Sequence, residues 1–320
     1  MQYRQLGRSG LKVSSLCLGT MNFGSRTTVA ESFNILSGAM DAGINFIDTA
    51  DQYGGAAGVG TTETIIGDWL AQNPARRHSA IIATKVHEPM SDDINDRGLS
   101  ARHIQLACEA SLKRLRVEHI DLYQMHHIDR STPIDEIWQA MERLYQQGKI
   151  TYVGSSNFPG WAIAQANERA MNRQRLGLVA EQGLYNLLER RAELEVIPAC
   201  RAYGLGLIPW SPLAGGVLAG DEGSTGRRQS PAVQQALQER AQQLVAFQSL
   251  SNDLGESASN VALGWLLHQS NVTATIVGPA SSEQLDNLLS VPELVLEQET
   301  LDALDRIFPP CGAAPEAYAW

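Results

Sequence analysis

Cysteine is scarce in this sequence of 320 residues: Cys17, Cys108, Cys200 and Cys311 stand far apart and no CxxC pair occurs. That spacing excludes zinc-ribbon patterns and the dense disulfide framework of a small secreted domain, so the thiols are expected to be reduced and mostly structural. No apolar run approaches the ~18 residues of a spanning helix, and Met1-Gln2-Tyr3-Arg4-Gln5 lacks the apolar core of a signal peptide. A cytoplasmic protein with no membrane partner is the expectation. Positive charge is short as well: 25 Lys and Arg face 35 Asp and Glu, a net charge of −10. No overall basic field is available for nucleic acid, which leaves a small molecule as the expected partner. HxH and HExxH pairs are missing too, so a metal-dependent hydrolase is not indicated and no metal is expected.

What is present is a core-forming composition, 43% hydrophobic and 19% charged. The length suits a single (β/α)₈ TIM barrel, which takes about 250 residues before insertions, and no linker divides residues 1–320. Short β-rich runs alternate with longer segments of helical apolar spacing, the pattern of parallel strands joined by helices. Eight strands are predicted: Leu16 to Met21, Asn45 to Ala50, Ala80 to Val86, Ile120 to His127, Ile150 to Asn157, Leu178 to Tyr185, Gly206 to Ser211 and Thr273 to Gly278. Helices are predicted between them, at Glu31 to Asp41, Glu63 to Ala71, Ser100 to Leu115, Ile134 to Gln147, Trp161 to Met171 and Glu189 to Ala202. Two more, Ala232 to Leu254 and Ser257 to His268, follow the seventh strand. Ser100 and Thr132-Pro133 read as helix starts. Tyr3 to Leu6 and Lys12 to Ser14 flank Gly7-Arg8-Ser9-Gly10 as an N-terminal hairpin. After the seventh strand, the long Gly-rich stretch from Leu213 to Ser230 reads as a lid or binding loop.

Polar residues gather where these strands stop: Asp48 and Tyr53 after the second, Lys85, His126, Ser156 and Asn157 after the next three, and Gln182 on the sixth. In a barrel those ends converge on one face. Singly each has a plainer reading: a Lys at a strand end is usually an exposed charge, a Tyr usually packs, and Asp48-Thr49 can cap a turn. Together they suit protonation of an oxygen as hydride reaches carbon. A phenol with a free pKa of about 10 becomes a usable acid beside an ammonium, a carboxylate holds the ammonium in place, and a neutral imidazole orients the carbonyl. His126 and His127 are adjacent in a predicted strand, so they are expected on opposite faces, and alternation alone does not say which turns inward.

The segment Gly43-Ile44-Asn45-Phe46-Ile47-Asp48-Thr49-Ala50-Asp51-Gln52-Tyr53-Gly54 resembles the signature of the aldo-keto reductases. Four further segments agree in family order: Ala83-Thr84-Lys85, Asp121-Leu122-Tyr123-Gln124-Met125-His126, Val153-Gly154-Ser155-Ser156-Asn157-Phe158 and Ile208-Pro209-Trp210-Ser211-Pro212-Leu213. The resemblance implies an NAD(P)H-dependent reductase of small carbonyl compounds, with Asp48, Tyr53, Lys85 and His126 as the catalytic set and Tyr53 as the acid. It also implies that Ser156, Asn157 and Gln182 meet the nicotinamide carboxamide and that Trp210 stacks on its ring. Ser211, Leu213 and Gly215 would follow the pyrophosphate, while Gly19, Thr20, Met21 and Asp48 would contact the cofactor from the first strands. Gly278, Ser281, Gln284 and Asn287 would do so after the eighth. More narrowly, Gln124-Met125-His126-His127-Ile128-Asp129-Arg130 and Ser155-Ser156-Asn157 resemble reductases of nucleotide-linked keto-deoxysugars. A cofactor-sensing subunit, as in relatives associated with potassium channels, is the alternative of another class. Nothing in the patterning sets an oligomeric state.

Two features are set aside. Gly54-Gly55-Ala56-Ala57-Gly58-Val59-Gly60 lacks the G-x-G-x-x-G spacing of a dinucleotide loop and reads as a flexible substrate-side segment. Lys113, Arg114 and Arg116 read as a helix C-terminus.

The departure from the family lies after the eighth strand, where NADP-preferring members carry Lys or Arg for the 2′-phosphate. Here Gly278-Pro279-Ala280-Ser281-Ser282-Glu283-Gln284-Leu285-Asp286-Asn287 holds no cation, although Arg227 and Arg228 lie in the preceding long loop. A missing charge-assisted contact is worth roughly 1.5–3 kcal/mol, about ten- to over a hundredfold in affinity. NADP(H) is therefore expected to bind first but weakly preferred, with NAD(H) also usable. Fluorescence-quenching titrations with both cofactors check this, and a preference for NADPH beyond about a thousandfold would reveal a phosphate clamp.

Overall fold

A computed structural model of the chain describes residues 1–222 and 226–319. Strands β1 (Tyr3–Gln5) and β2 (Lys12–Ser14) form an antiparallel hairpin with Arg4 opposite Val13. Eight parallel strands follow: β3 (Leu16–Gly19), β4 (Phe46–Asp48), β5 (Ile81–Val86), β6 (Ile120–Met125), β7 (Ile150–Ser156), β8 (Leu178–Leu184), β9 (Gly206–Trp210) and β10 (Thr275–Val277). They are hydrogen-bonded in chain order, with β10 beside β3. Near the start of β9, a parallel bridge joins Leu207 to Val272, with Leu207 N–H donating to Asn271 O and Thr273 N–H to Leu207 O. The sheet is thereby drawn round into a nearly closed (β/α)₈ barrel.

Strand alternation divides the apolar residues into two cores. Leu18, Ile47, Ile82, Tyr123, Met125, Val153 and Leu207 face the helices, whereas Cys17, Phe46, Ala83, Leu122, Ala180 and Ile208 fill the barrel. Leu6 and Val13, both fully buried, join the inner cluster from the hairpin and plug the amino end. Gly7 makes that plug possible: its φ is +52°, and a Cβ there would lie 2.2 Å from the Val179 carbonyl oxygen. Two residues beyond Phe46, Ala83, Leu122 and Ala180 the same inward face turns polar, at Asp48, Lys85, Gln124 and Gln182, with buried Ser156 at the end of β7. The chemistry thus sits above an apolar floor.

Helix starts follow the capping residues in part. Ser100 Oγ accepts from His103 N–H at the head of Ala101–Leu115, and Thr28, Ser230 and Ser257 cap other helices in the same way. Thr132 does not. Pro133 itself occupies the cap of Ile134–Gln146, because the Thr132 hydroxyl turns back to Asp129 Oδ2 at 2.8 Å. Two predicted helices are broken by tertiary anchors. Glu189 to Ala202 becomes a short turn at Arg191–Glu193 and a helix at Val196–Tyr203. There Arg190 is buried against Trp265, pairing with Asp305 and Glu193. Ala232 to Leu254 divides into Pro231–Glu239 and Ala241–Asp253 at Arg240. The second piece docks Phe247 on Phe308, ring centroids 5.5 Å apart. In the stretch after β9, residues 223–225 lie outside the described structure, and Arg228 donates to the carbonyls of Gly216 and Gly220, tying the flanks together. Arg114 and Arg116 close a helix as expected and pair with Glu63 and Asp68. All four cysteines are unpaired, with only Cys311 exposed. Among the described residues no helix is long and apolar enough to cross a membrane.

Because Leu6 fills the barrel floor without contacting the candidate site, Leu6→Ala is expected to cost about 2–5 kcal/mol in urea denaturation. A loss under about 1 kcal/mol would show that the hairpin is a loose cover.

Candidate active site

Lys85 is wholly buried near the end of β5, and its three N–H groups are all used. Nζ lies 2.6 Å from Asp48 Oδ2, 2.8 Å from the Thr49 carbonyl oxygen and 3.3 Å from Tyr53 Oη. Burial is the largest single influence and opposes the ammonium, but Asp48 and Tyr53 together outweigh it and the Lys85 pKa is raised. Asp48 is satisfied on its other oxygen, which accepts from Gln182 Nε2 at 2.8 Å and Gln124 Nε2 at 3.2 Å. Tyr53 reaches the ion pair from a turn beyond β4 closed by Tyr53 N–H to Ala50 O. The Lys85 charge also lies 4.9 Å from the centre of the Tyr53 ring. A cation so placed favours loss of the phenolic proton.

His126 stands across from Tyr53, ring centroids 5.9 Å apart and nearly perpendicular. Its main chain is pinned by N–H to Val86 O and by Asn157 Nδ2 donating to its carbonyl. Burial, and then the neighbouring Lys85 and two histidines, push its pKa down to about 2, so the ring is neutral. Nδ1 is buried without a protein partner, so no bond at that nitrogen fixes the tautomer. The expectation that His126 and His127 face opposite ways is corrected here. Strand β6 ends at Met125, alternation no longer applies, and the two rings stack 5.2 Å apart at 14°.

The other candidates ring this centre in two groups. Ser156, Asn157, Gln182 and Trp210 lie at or near the carboxyl ends of three neighbouring strands, and Gln182 bonds the ion pair directly. Asn157 Nδ2 donates to Ser156 Oγ, and its Oδ1 accepts from Trp210 Nε1 at 3.1 Å, which fixes the indole plane. Ser211, Leu213 and Gly215 follow β9, where Ser211, Ala214, Gly215 and Gly216 all have left-handed φ. Gly19 pairs in register with Asp48, and Thr20 Oγ1 and N–H both bond the Asp48 carbonyl, so Met21 begins the loop above. Gly278 is tied to that loop by Asn22 Nδ2. Ser281, Gln284 and Asn287 lie farther on, at the short helix Ser282–Asp286, and no contact joins them to the ion pair. There Ser281 caps the Gln284 N–H, Gln284 Oε1 accepts from Ala280 N–H, and Ser282 N–H and Oγ both donate to Glu31 Oε1. No side-chain contact from Arg228 reaches this helix.

Sequence reasoning passed over Gln124, Glu181 and Asn186. Gln124 was legible, since it shares the inward face of His126 and pairs in register with Lys85. Asn186 donates to the Ser211 carbonyl at 2.9 Å, a contact that no local pattern announces. Glu181, buried, accepts from the Ser155 hydroxyl and from Phe158 N–H, and so holds the turn in which Asn157 has a φ of 57°.

The carboxyl end of the barrel thus gathers a buried lysine–carboxylate pair, a tyrosine and a neutral histidine, groups able to move a proton, at the face where barrel sites are built. The model of the aldo/keto reductase family matches residues 15–308, and the chain belongs to that family. It is 50% identical, over the full length of both chains, to a protein of Bacillus subtilis called uncharacterized oxidoreductase YrpG. It is 32% identical to a probable voltage-gated potassium channel subunit beta of Arabidopsis thaliana, covering 99% of this chain and 100% of the other. It is also 32% identical to versiconal hemiacetal acetate reductase of Aspergillus parasiticus, covering 98% and 99%.

Burial raises the Glu181 pKa to about 8, against the opposing hydrogen bonds from Ser155, Phe158 and Asn157. A carboxyl whose folded pKa lies above its unfolded value stabilises fully below the unfolded value, and that contribution is lost as pH rises through about 8. Stability is therefore expected to fall by a few kcal/mol between about pH 5 and 8, and Glu181→Gln to flatten that slope. Denaturation midpoints measured across this range decide it, and an unchanged slope in the variant assigns the loss to other groups.

Proposed function

We propose that this protein is an NAD(P)H-dependent oxidoreductase that reduces aldehydes, ketones or keto sugars to alcohols. The observation that carries the reading is the single ammonium of Lys85 bonded at once to Asp48 and to the hydroxyl of Tyr53, with neutral His126 opposite. The donor set fits a nicotinamide dinucleotide. Ser156 keeps its own hydroxyl proton while accepting from Asn157, Gln182 keeps Oε1 beyond its bond to Asp48, and both suit a carboxamide. Trp210 supplies a flat face, and the left-handed turns at Ser211, Ala214 and Gly215 suit backbone N–H groups to a phosphate. The family resemblance favours NADP(H). Ser282, already held by Glu31, and the absence of a cation in 278–287 support use of NAD(H) as well.

A bound reduced nicotinamide supplies the hydride that adds to the carbonyl carbon. His126 Nε2–H donates to the carbonyl oxygen and orients it. Tyr53 Oη gives its proton to that oxygen as negative charge develops there, and Lys85 stabilises the phenolate left behind until solvent restores the proton. Asp48 keeps Lys85 charged and in place, with its own carboxylate fixed by Gln124 and Gln182.

The likeness to a potassium channel subunit supports a second reading, in which the same barrel binds cofactor and regulates a partner. Tyr53→Phe separates the two. It is expected to lower carbonyl reduction, followed at 340 nm with a panel of carbonyls, by about 10²- to 10⁴-fold while cofactor affinity changes less than about threefold. Turnover near the wild-type rate removes Tyr53 from the chemistry, and a wild type inactive on the whole panel favours the regulatory role.

A further inference from the structure

His126 is the group proposed to orient the carbonyl, yet no hydrogen bond fixes its ring, because Nδ1 is buried without a partner. Functional histidines ordinarily have the second ring nitrogen held by a carbonyl or carboxylate, which sets tautomer and ring angle together. Here neighbouring rings stand in for that bond. His127 stacks on one face of His126, 5.2 Å away and 14° from parallel, while Tyr53 meets it edge-on. His127 is held in turn by Glu88, whose Oε1 lies 3.3 Å from His127 Nε2 and 3.3 Å from His87 Nδ1. The His87 ring packs edge-on against His127 at 5.5 Å. Tyr53, His126, His127 and His87 form one continuous array, with a single carboxylate clamping its outer two members.

We propose that His127 and Glu88 are positioning residues for His126, fixing the ring angle at which Nε2–H meets the carbonyl oxygen. The proposal rests on the reductase reading for its kinetic consequence only. A donor that swings away from the line to its acceptor loses its bond steeply, and a freely rotating imidazole would spend much of its time misaligned. The clamp also has an electrostatic effect. The titratable groups facing His127 are Glu88, His87 and His126, with Lys85 and Tyr53 behind His126. Two imidazole nitrogens converge on one carboxylate oxygen, so at least one must bring a proton to it. The His127 and His87 rings add to burial and to the Lys85 ammonium in holding the His126 pKa down, which keeps it a neutral donor. His127 is half exposed, so replacing it leaves the barrel core intact.

The test compares His127→Ala, His127→Phe and Glu88→Ala in the full chain with a reducible aldehyde, measuring kcat, KM, cofactor affinity and the pH profile. In parallel, ¹⁵N-histidine NMR follows the His126 ring without any turnover. His127→Ala is expected to lower kcat about 10- to 100-fold with cofactor affinity unchanged within about twofold. His127→Phe, which keeps the stack, should recover most of that loss and flatten the acid limb of the pH profile. Glu88→Ala should fall between, and in both alanine variants the His126 ring resonances should shift and broaden as the ring is freed. The positioning role is overturned if His127→Ala stays within about twofold of wild-type kcat with unmoved His126 resonances, or if His127→Phe is as impaired as the alanine variant. A wild type that reduces no carbonyl defeats the reductase reading instead, and the NMR comparison then decides the positioning role alone.

Discussion

A fully buried charged amine governs the upper half of this barrel. Lys85 is fully buried, and an ammonium in that position is tolerable only with every N–H paired and a counter-charge in contact. Asp48 supplies the charge, the Thr49 carbonyl the second acceptor and Tyr53 the third. Each requirement recruits more structure. Asp48 must be desolvated too, so Gln124 and Gln182 reach across the barrel to its free oxygen, and four strands are locked to one another by side chains. Removing one partner of such a pair leaves an uncompensated charge, at a cost of about 3–5 kcal/mol. The arrangement is thus costly to disturb, and it holds the Tyr53 hydroxyl against the Lys85 ammonium.

The rest of the fold makes that arrangement possible. The apolar lower layer, closed by Leu6 and Val13, keeps water from reaching Lys85 from beneath. The loops above carry the parts that a ligand would touch, and they are tied down by polar contacts that do not depend on one. Asn157 bridges His126 and Trp210, Glu181 holds the Asn157 turn, and Asn186 holds Ser211. Such bonds between the ends of different strands preorganise donors around a cleft, which is where electrostatic catalysis gains most.

The relatives span oxidoreductases and a channel subunit on the same scaffold, as expected where fold and function are only loosely tied. What bears on activity in this chain is the full acid–base set and the ring array beside it. His126 packs against neighbouring rings and has no partner at Nδ1, and the array beyond it consists of His127, His87 and Glu88. These lie in the loops after β5 and β6, where chains sharing a barrel differ most.

By itself the sequence determined the barrel, through its alternation of β-rich and helical segments, and singled out Asp48, Tyr53, Lys85 and His126, which the structure brings together. Both signals are local: a strand declares its period over a few residues, and Asp48 and Tyr53 stand within one turn of each other. Glu189 to Ala202 and Ala232 to Leu254 were misread because Arg190 and Phe247 take partners more than sixty residues away, and those contacts override helical spacing. His126 and His127 were expected on opposite faces but stack, because the point at which β6 stops pairing is set by its neighbours, not by its own composition. Only the tertiary structure could bring Glu88 to His127, Glu31 to Ser282 and Glu181 to Phe158. A carboxylate finds its donor through space, and nothing in the residues around it along the chain records which donor that will be.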